Sequence, residues 1–277
     1  MRVLAPKWSH KCFCNSLLVN RRQFIKRGSL FVPTIFVPRL IRGQDANADF
    51  HRRQAWLKAN SGGDGGGGGA PTYVNSGADF GGADNAYTTT WNPANGNTLL
   101  VWVVTASTAN ITLSDGEGTG NTYTADADVT RTTVARGKLF RCSNISGSGS
   151  YTLTVGGSPT TPLIVACEIS GNRTLDTASV GSNPSTFSGS STSVNPTAFT
   201  TSTAATILVD MFGDTTGSTI TISQTDSNYT TRQSANNGST SFVGAFGTRE
   251  VAATASYSDG WTLSVGSDTV AVHAAYK

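Results

Sequence analysis

Residues 98–106, TLLVWVVTA, and 205–213, ATILVDMFG, decide the fold. Each is apolar at nearly every position and rich in β-branched side chains, and each is only a strand's length. Such runs suit central strands covered on both faces. Around them lie alternating segments such as SYTLTVG (150–156), which read as half-exposed strands. Further strands are expected over 86–91, 109–114, 120–124, 131–142, 162–169, 177–181, 196–201, 218–224, 229–233, 240–246, 250–256, 261–265 and 268–276. Turn formers separate them at 93–96, 115–120, 147–149, 156–159, 181–184, 236–238 and 258–260. From residue 73 onward no sustained helical period appears, and no repeat of 20–50 residues marks a solenoid or propeller. The expectation is an all-β chain: a single antiparallel β-sandwich over 72–277, jelly-roll or immunoglobulin-like, after a flexible N-terminal segment.

Composition agrees. Only 13% of the 277 residues are charged, against 37% hydrophobic. Low charge with recurrent apolar clusters builds a core, whereas disorder needs high net charge and little apolar content. The net charge of +3 divides unevenly, +9 over 1–69 and −6 over 70–277. The folded part is mildly acidic and carries no basic stripe with interleaved aromatics, so a nucleic-acid partner is not expected.

The N-terminal part reads differently. Asn20 to Lys26 is NRRQFIK. It resembles the twin-arginine export motif, matched by Arg21, Arg22, Phe24, Ile25 and Lys26, with Asn20 departing from the usual Ser or Thr. The apolar stretch 28–38 that follows is shorter than the about 20 residues a membrane-spanning helix needs, and Pro33 and Pro38 interrupt it. Cleavage after Ala48, in an A-x-A pattern, or after Gly43 fits an export signal over 1–48. Membrane contact is then expected only during export. The upstream residues 1–19 suggest translation starting near Val19. Residues 49–60 are expected to form a short helix. Residues 61–71, SGGDGGGGGAP, read as a flexible linker, because polyglycine loses much backbone entropy on ordering and buries nothing.

The order GNTLLVWVV, SDGEGTGNTYT, EISG, TILVDMFG, then Trp261 before a closing VAVHAAYK resembles a loosely defined group of β-sandwich domains. These occur in secreted bacterial proteins and in phage or prophage structural proteins. The resemblance covers roughly 73–277 and implies secreted, cell-surface or virion display with an adhesive or structural role. It transfers no catalytic residues.

The residues themselves offer little chemistry. His273 is the one histidine beyond the linker and sits opposite Val270 and Val272 in an alternating strand, where a surface or lining role is expected. No G-x-S-x-G or H-E-x-x-H occurs. Glu168 closes the apolar run LIVAC and is expected to accept hydrogen bonds or pair with Arg141 or Arg173. The acidic, Gly-rich turn holding Asp115, Glu117 and Asn121 has the oxygen ligands calcium takes, and reads equally as a hairpin turn. Trp91 and Trp261 border turns, where an aromatic face can stack on a sugar ring or plug the end of the sandwich. Cys142 and Cys167 are either buried thiols or a disulfide between neighbouring strands. No cofactor beyond calcium is implied. These features lead to a non-enzymatic surface protein that binds a glycan or protein, with a homo-oligomer open. The alternatives are a secreted carbohydrate-active enzyme or its binding module, and a purely structural phage subunit.

Overall fold

In the computed structural model the two apolar runs become the central strands of two facing sheets. The structure describes residues 69–80, 85–116, 120–132, 134–159, 162–215, 220–236 and 243–277. The twin-arginine segment, both cleavage positions, the expected helix, most of the linker and Glu117 lie outside the described residues. All described residues belong to one compact unit, Gln54–Lys277.

Among the described residues sixteen strands follow one another: β1 (Tyr73–Phe80), β2 (Ala86–Thr88), β3 (Thr98–Thr105), β4 (Thr112–Asp115), β5 (Thr124–Arg131), β6 (Ala135–Cys142), β7 (Thr152–Gly156), β8 (Leu163–Ile169), β9 (Ser185–Val194), β10 (Phe199–Thr200), β11 (Thr206–Asp214), β12 (Ile222–Gln224), β13 (Thr230–Asn236), β14 (Val243–Val251), β15 (Ser256–Tyr257) and β16 (Trp261–Tyr276). Every pairing is antiparallel. The chain is an all-β antiparallel sandwich, as its sequence implies.

The first large sheet has the order β1-β8-β3-β6-β5. The second has β9-β16-β11-β14-β13, with β12 beside the front of β16. Adding eight to each strand number of the first order gives the second. The chain is therefore two consecutive copies of one winding. In the first copy strands 1-8-3-6 lie in one sheet and 2-7-4 in another, which is the wrapping of a jelly roll. Sequence fragments repeat too: ITLSD (111–115) with ITISQ (220–224), and TLTVG (152–156) with TLSVG (262–266).

The copies stack through their large sheets. Leu100, Trp102 and Val104 of β3 interlock with Ile207, Val209 and Met211 of β11 and with Val270, Val272 and Ala274 of β16. The alternate residues Leu99, Val101 and Val103 face outward onto β2, β4 and β7. Trp102 reaches furthest. Its Nε1–H donates to the Phe212 carbonyl across the interface at 3.3 Å. Its ring lies over Gly137, where a Cβ would sit 2.2 Å from it. Tyr276 adds a second tie, its hydroxyl donating to Asp126 of β5 at 2.9 Å, and Arg141 pairs with the same carboxylate at 2.8 Å.

Several elements depart from the sequence reading: β1 was not among the expected strands, and the strands expected over 120–124 and 177–181 do not form there. β9, STFSGSSTSV, is missed because its Ser and Gly carry no apolar alternation; it is an edge strand zipped onto β16. β16 is one strand of 16 residues where two were expected, bulged between Thr262 and Ser267. The turn expected near 258–260 only precedes it. β5 covers 124–131, where the reading placed a boundary. We expect Gly137→Ala to cost about 1–3 kcal/mol by overpacking and Trp102→Ala about 3–5 kcal/mol by cavity formation. Urea denaturation of the full chain checks both.

Candidate functional site

The anticipated site residues fall in four places. Glu168 is buried and clamps the loop before β3. Its Oε1 accepts from the Ala94 N–H (2.8 Å) and Asn97 Nδ2 (2.6 Å), and its Oε2 from Trp91 Nε1 (2.8 Å). It pairs with neither Arg141, which holds Asp126, nor Arg173, which donates to the Ser170 and Gly69 carbonyls. Trp91 thus has its indole N–H engaged while its ring is partly exposed. Of the two roles weighed for Trp261, the structure excludes the sugar-stacking rim and fits the hydrophobic plug: it is fully buried against Phe212. Asp115 Oδ2 accepts from Asn121 Nδ2 (2.8 Å) and the Tyr123 hydroxyl (2.9 Å), which is the bonding of a closed turn. Among the described residues no group of three or more His, Cys, Asp or Glu is arranged to hold a metal ion.

The disulfide reading is also corrected. Cys142 and Cys167 are free. They lie on strands flanking β3, but on opposite faces of the sheet: Cys142 faces the small sheet and Cys167 the inter-sheet core. Burial pushes the Cys142 thiol up to about 11 and Cys167 well above its usual value.

The chemistry concentrates where the two copies differ. Counting from the terminal pair of each ladder, Thr98–Ile169 and Ile207–Tyr276, the fourth pair is Val101–Ala166 in the first copy and Asp210–His273 in the second. The neighbouring edge strand adds Gly77 in the first and Ser185 in the second. An inert Gly–Ala–Val row has become Ser185–His273–Asp210, one side chain from each of three adjacent strands on one face. All three are buried. Val270 and Val272 do lie on the opposite face from His273. His273 itself is fully buried, not a surface residue, because β10 and β15 cover that face with Phe199 and Tyr257. The Phe199 ring lies over the imidazole at 4.7 Å.

His273 Nε2 meets the Tyr229 hydroxyl at 2.6 Å. Burial holds the imidazole neutral, lowering its pKa to about 4. Asp210 faces Asp259, and burial followed by that neighbouring carboxyl drives Asp210 well above the usual carboxylate range. Asp259 is raised less, because although burial raises it, the Asp226 and Gly260 N–H groups and Gln224 Nε2 (3.0 Å) stabilise its charged form. The two carboxyls are compatible only with a proton between them. Outside this cluster, Arg249 stacks on Tyr257 (5.2 Å) and Tyr229 (5.9 Å) and pairs with Asp226 at 2.7 Å. The Asn228 N–H, with that arginine, holds Asp226 below its ordinary pKa.

Tyr229 connects this interior to the surface. Its neighbours Asn228 and Thr230, with Arg232, Thr248, Arg249 and Glu250, line an open groove of about 360 Å³. Arg232 stacks on Tyr73 at 4.2 Å and donates to Thr248 Oγ1 at 2.7 Å. Glu250 accepts from the Tyr73 N–H at 3.0 Å. The groove is polar, carries both signs of charge and presents a single carboxylate.

No family model, no curated protein and no solved structure matches this chain.

Sequence reasoning weighed His273 only as a surface or lining residue and missed Ser185, Asp210, Tyr229 and Asp259 beside it. The signal was present: TILVDMF carries one acid in a run buried on both faces, so Asp210 had to be buried.

Two outcomes follow. Cys142 and Cys167 stay unlabelled by a thiol reagent in the native protein and label fully in denaturant, as peptide mapping will read. For pH, a raised carboxyl contributes stability that is present at low pH and lost as pH rises through its folded value. His273 works oppositely, its contribution being lost as pH falls from about 6.5 toward 4. Asp210→Asn keeps a partner for Asp259 without the titrating proton. It should therefore stabilise the protein by on the order of 1 kcal/mol at pH 9, a gain that shrinks toward pH 4. Urea denaturation across that range measures it.

Proposed function

We propose that this protein is a non-enzymatic display sandwich, exported or carried on a virion, that binds a glycan or protein surface through the groove of its second copy. The observation that carries this reading is the groove lining: an amide, two threonine hydroxyls, two guanidinium groups and one carboxylate around an open floor. Such a set donates and accepts hydrogen bonds in many directions, as a polyhydroxylated ligand or a polar peptide surface requires. The stacked, partly committed arginines are pre-positioned, which reduces the entropy lost on binding.

A glycosidase reading requires two carboxyls facing one open cleft. The groove offers Glu250 alone, and the Asp210–Asp259 pair lies beneath Tyr229 and Phe199. That arrangement favours binding over hydrolysis. The basic, twin-arginine-like opening and the Gly-rich segment support export and reach, so that modest affinity per site is raised by multivalency.

The test is a glycan-array and surface-capture screen with the full chain, with and without calcium, beside Arg232→Ala and Arg249→Ala. Binding that falls at least about tenfold in either variant supports the groove, since a hydrogen bond to a charged group contributes about 1.5–3 kcal/mol. Binding unaffected by both places recognition elsewhere. Loss on chelation alone moves it to the Asp115 turn. No binding by the folded protein favours a structural subunit.

A further inference from the structure

The Ser185–His273–Asp210 row has a feature beyond the groove reading. Ser185 Oγ and His273 Nδ1 are buried without a hydrogen-bond partner from the described residues, and beside them Asp210, whose contacts are the Asp259 carboxyl and the Met211 N–H, keeps acceptor lone pairs to spare. Leaving such atoms unsatisfied costs about 1–3 kcal/mol each. Directly opposed side chains on one sheet face have Cβ atoms about 4.5–5.5 Å apart. Across that span no direct hydrogen bond joins Ser185 or Asp210 to the imidazole, whose one bond among the described residues is to Tyr229.

We propose that the second copy holds a resident water molecule between Ser185 Oγ, His273 Nδ1 and the Asp210 carboxyl. The chemistry of the three groups selects this ligand. It must be small and neutral, and must both accept and donate. Buried waters typically make about three hydrogen bonds to otherwise unsatisfied groups. The arrangement also fixes the tautomer. The Tyr229 hydroxyl has no other acceptor among the described residues, so it is assigned as the donor to Nε2, which leaves the proton on Nδ1 to be donated to the water. The water donates in turn to Asp210 and Ser185. The result is one continuous chain of hydrogen bonds: Tyr229, His273, water, Asp210, Asp259. It runs from beside the groove-lining Asn228 and Thr230 to the shared proton of the acid pair. Gly77, Ala166 and Val101 give the first copy no counterpart. The proposal does not depend on what the groove binds.

Nitrogen-15 NMR of the imidazoles in the full chain at pH 7 tests it, with His273→Ala used for assignment. The expected result is an Nδ1–H resonance for His273 with a cross-peak to a long-lived water. Asp210→Val, which installs the first copy's residue, should speed exchange of that proton by on the order of tenfold, the equivalent of one lost hydrogen bond. Ser185→Ala, a milder change, should weaken the water cross-peak while leaving the Tyr229 contact. An Nε2–H tautomer, or an Nδ1–H with no bound-water cross-peak, overturns the proposal on the unmodified protein alone.

Discussion

The burial of Trp102 between the two large sheets is the constraint on which the structure depends. Its ring fills the gap over Gly137, and its N–H finds the Phe212 carbonyl, so a large side chain is buried without an orphaned donor. The same interface sets the register of both sheets. Each central strand must present one alternate set of residues inward and the other toward its own small covering strands. A slip of one residue would exchange those sets. This explains why β3 and β11 are apolar at almost every position: neither has a wet face.

Duplication gives the chain a natural comparison. Both copies keep the strand order and an apolar inward face, while the outward face of the central strands diverges. The first copy fills it with Gly77, Ala166 and Val101, which demonstrates that the winding has no need of polar groups there. The second places a serine, an imidazole and a carboxyl on the same positions and connects them through Tyr229 to an open groove. Buried polar groups usually carry a stability cost, so their concentration in one copy marks the region where function is sought.

Much of this was legible in the chain. TLLVWVV and TILVDMF announce doubly covered strands, and TLTVG and TLSVG announce half-exposed ones. Their recurrence about 110 residues apart also records the duplication. β9 was hidden because an edge strand of serines obtains its stability from β16 and not from its own side chains. The site was hidden for another reason. Ser185, Asp210 and His273 come from separate strands, and only the antiparallel registers bring them together. Asp210, the single acid of TILVDMF, announced a buried carboxyl without naming its partners. Cys142 and Cys167 illustrate the same limit, since strand position alone does not assign sheet face.

Amide hydrogen exchange on the full chain tests the shared core most directly. The account predicts that β3, β8, β11 and β16 exchange last and together, because they meet in one inter-sheet core. If the strands of one copy exchanged well before those of the other, each copy would be stabilised by its own covering sheet. The stacking around Trp102 would then not be what holds the molecule together.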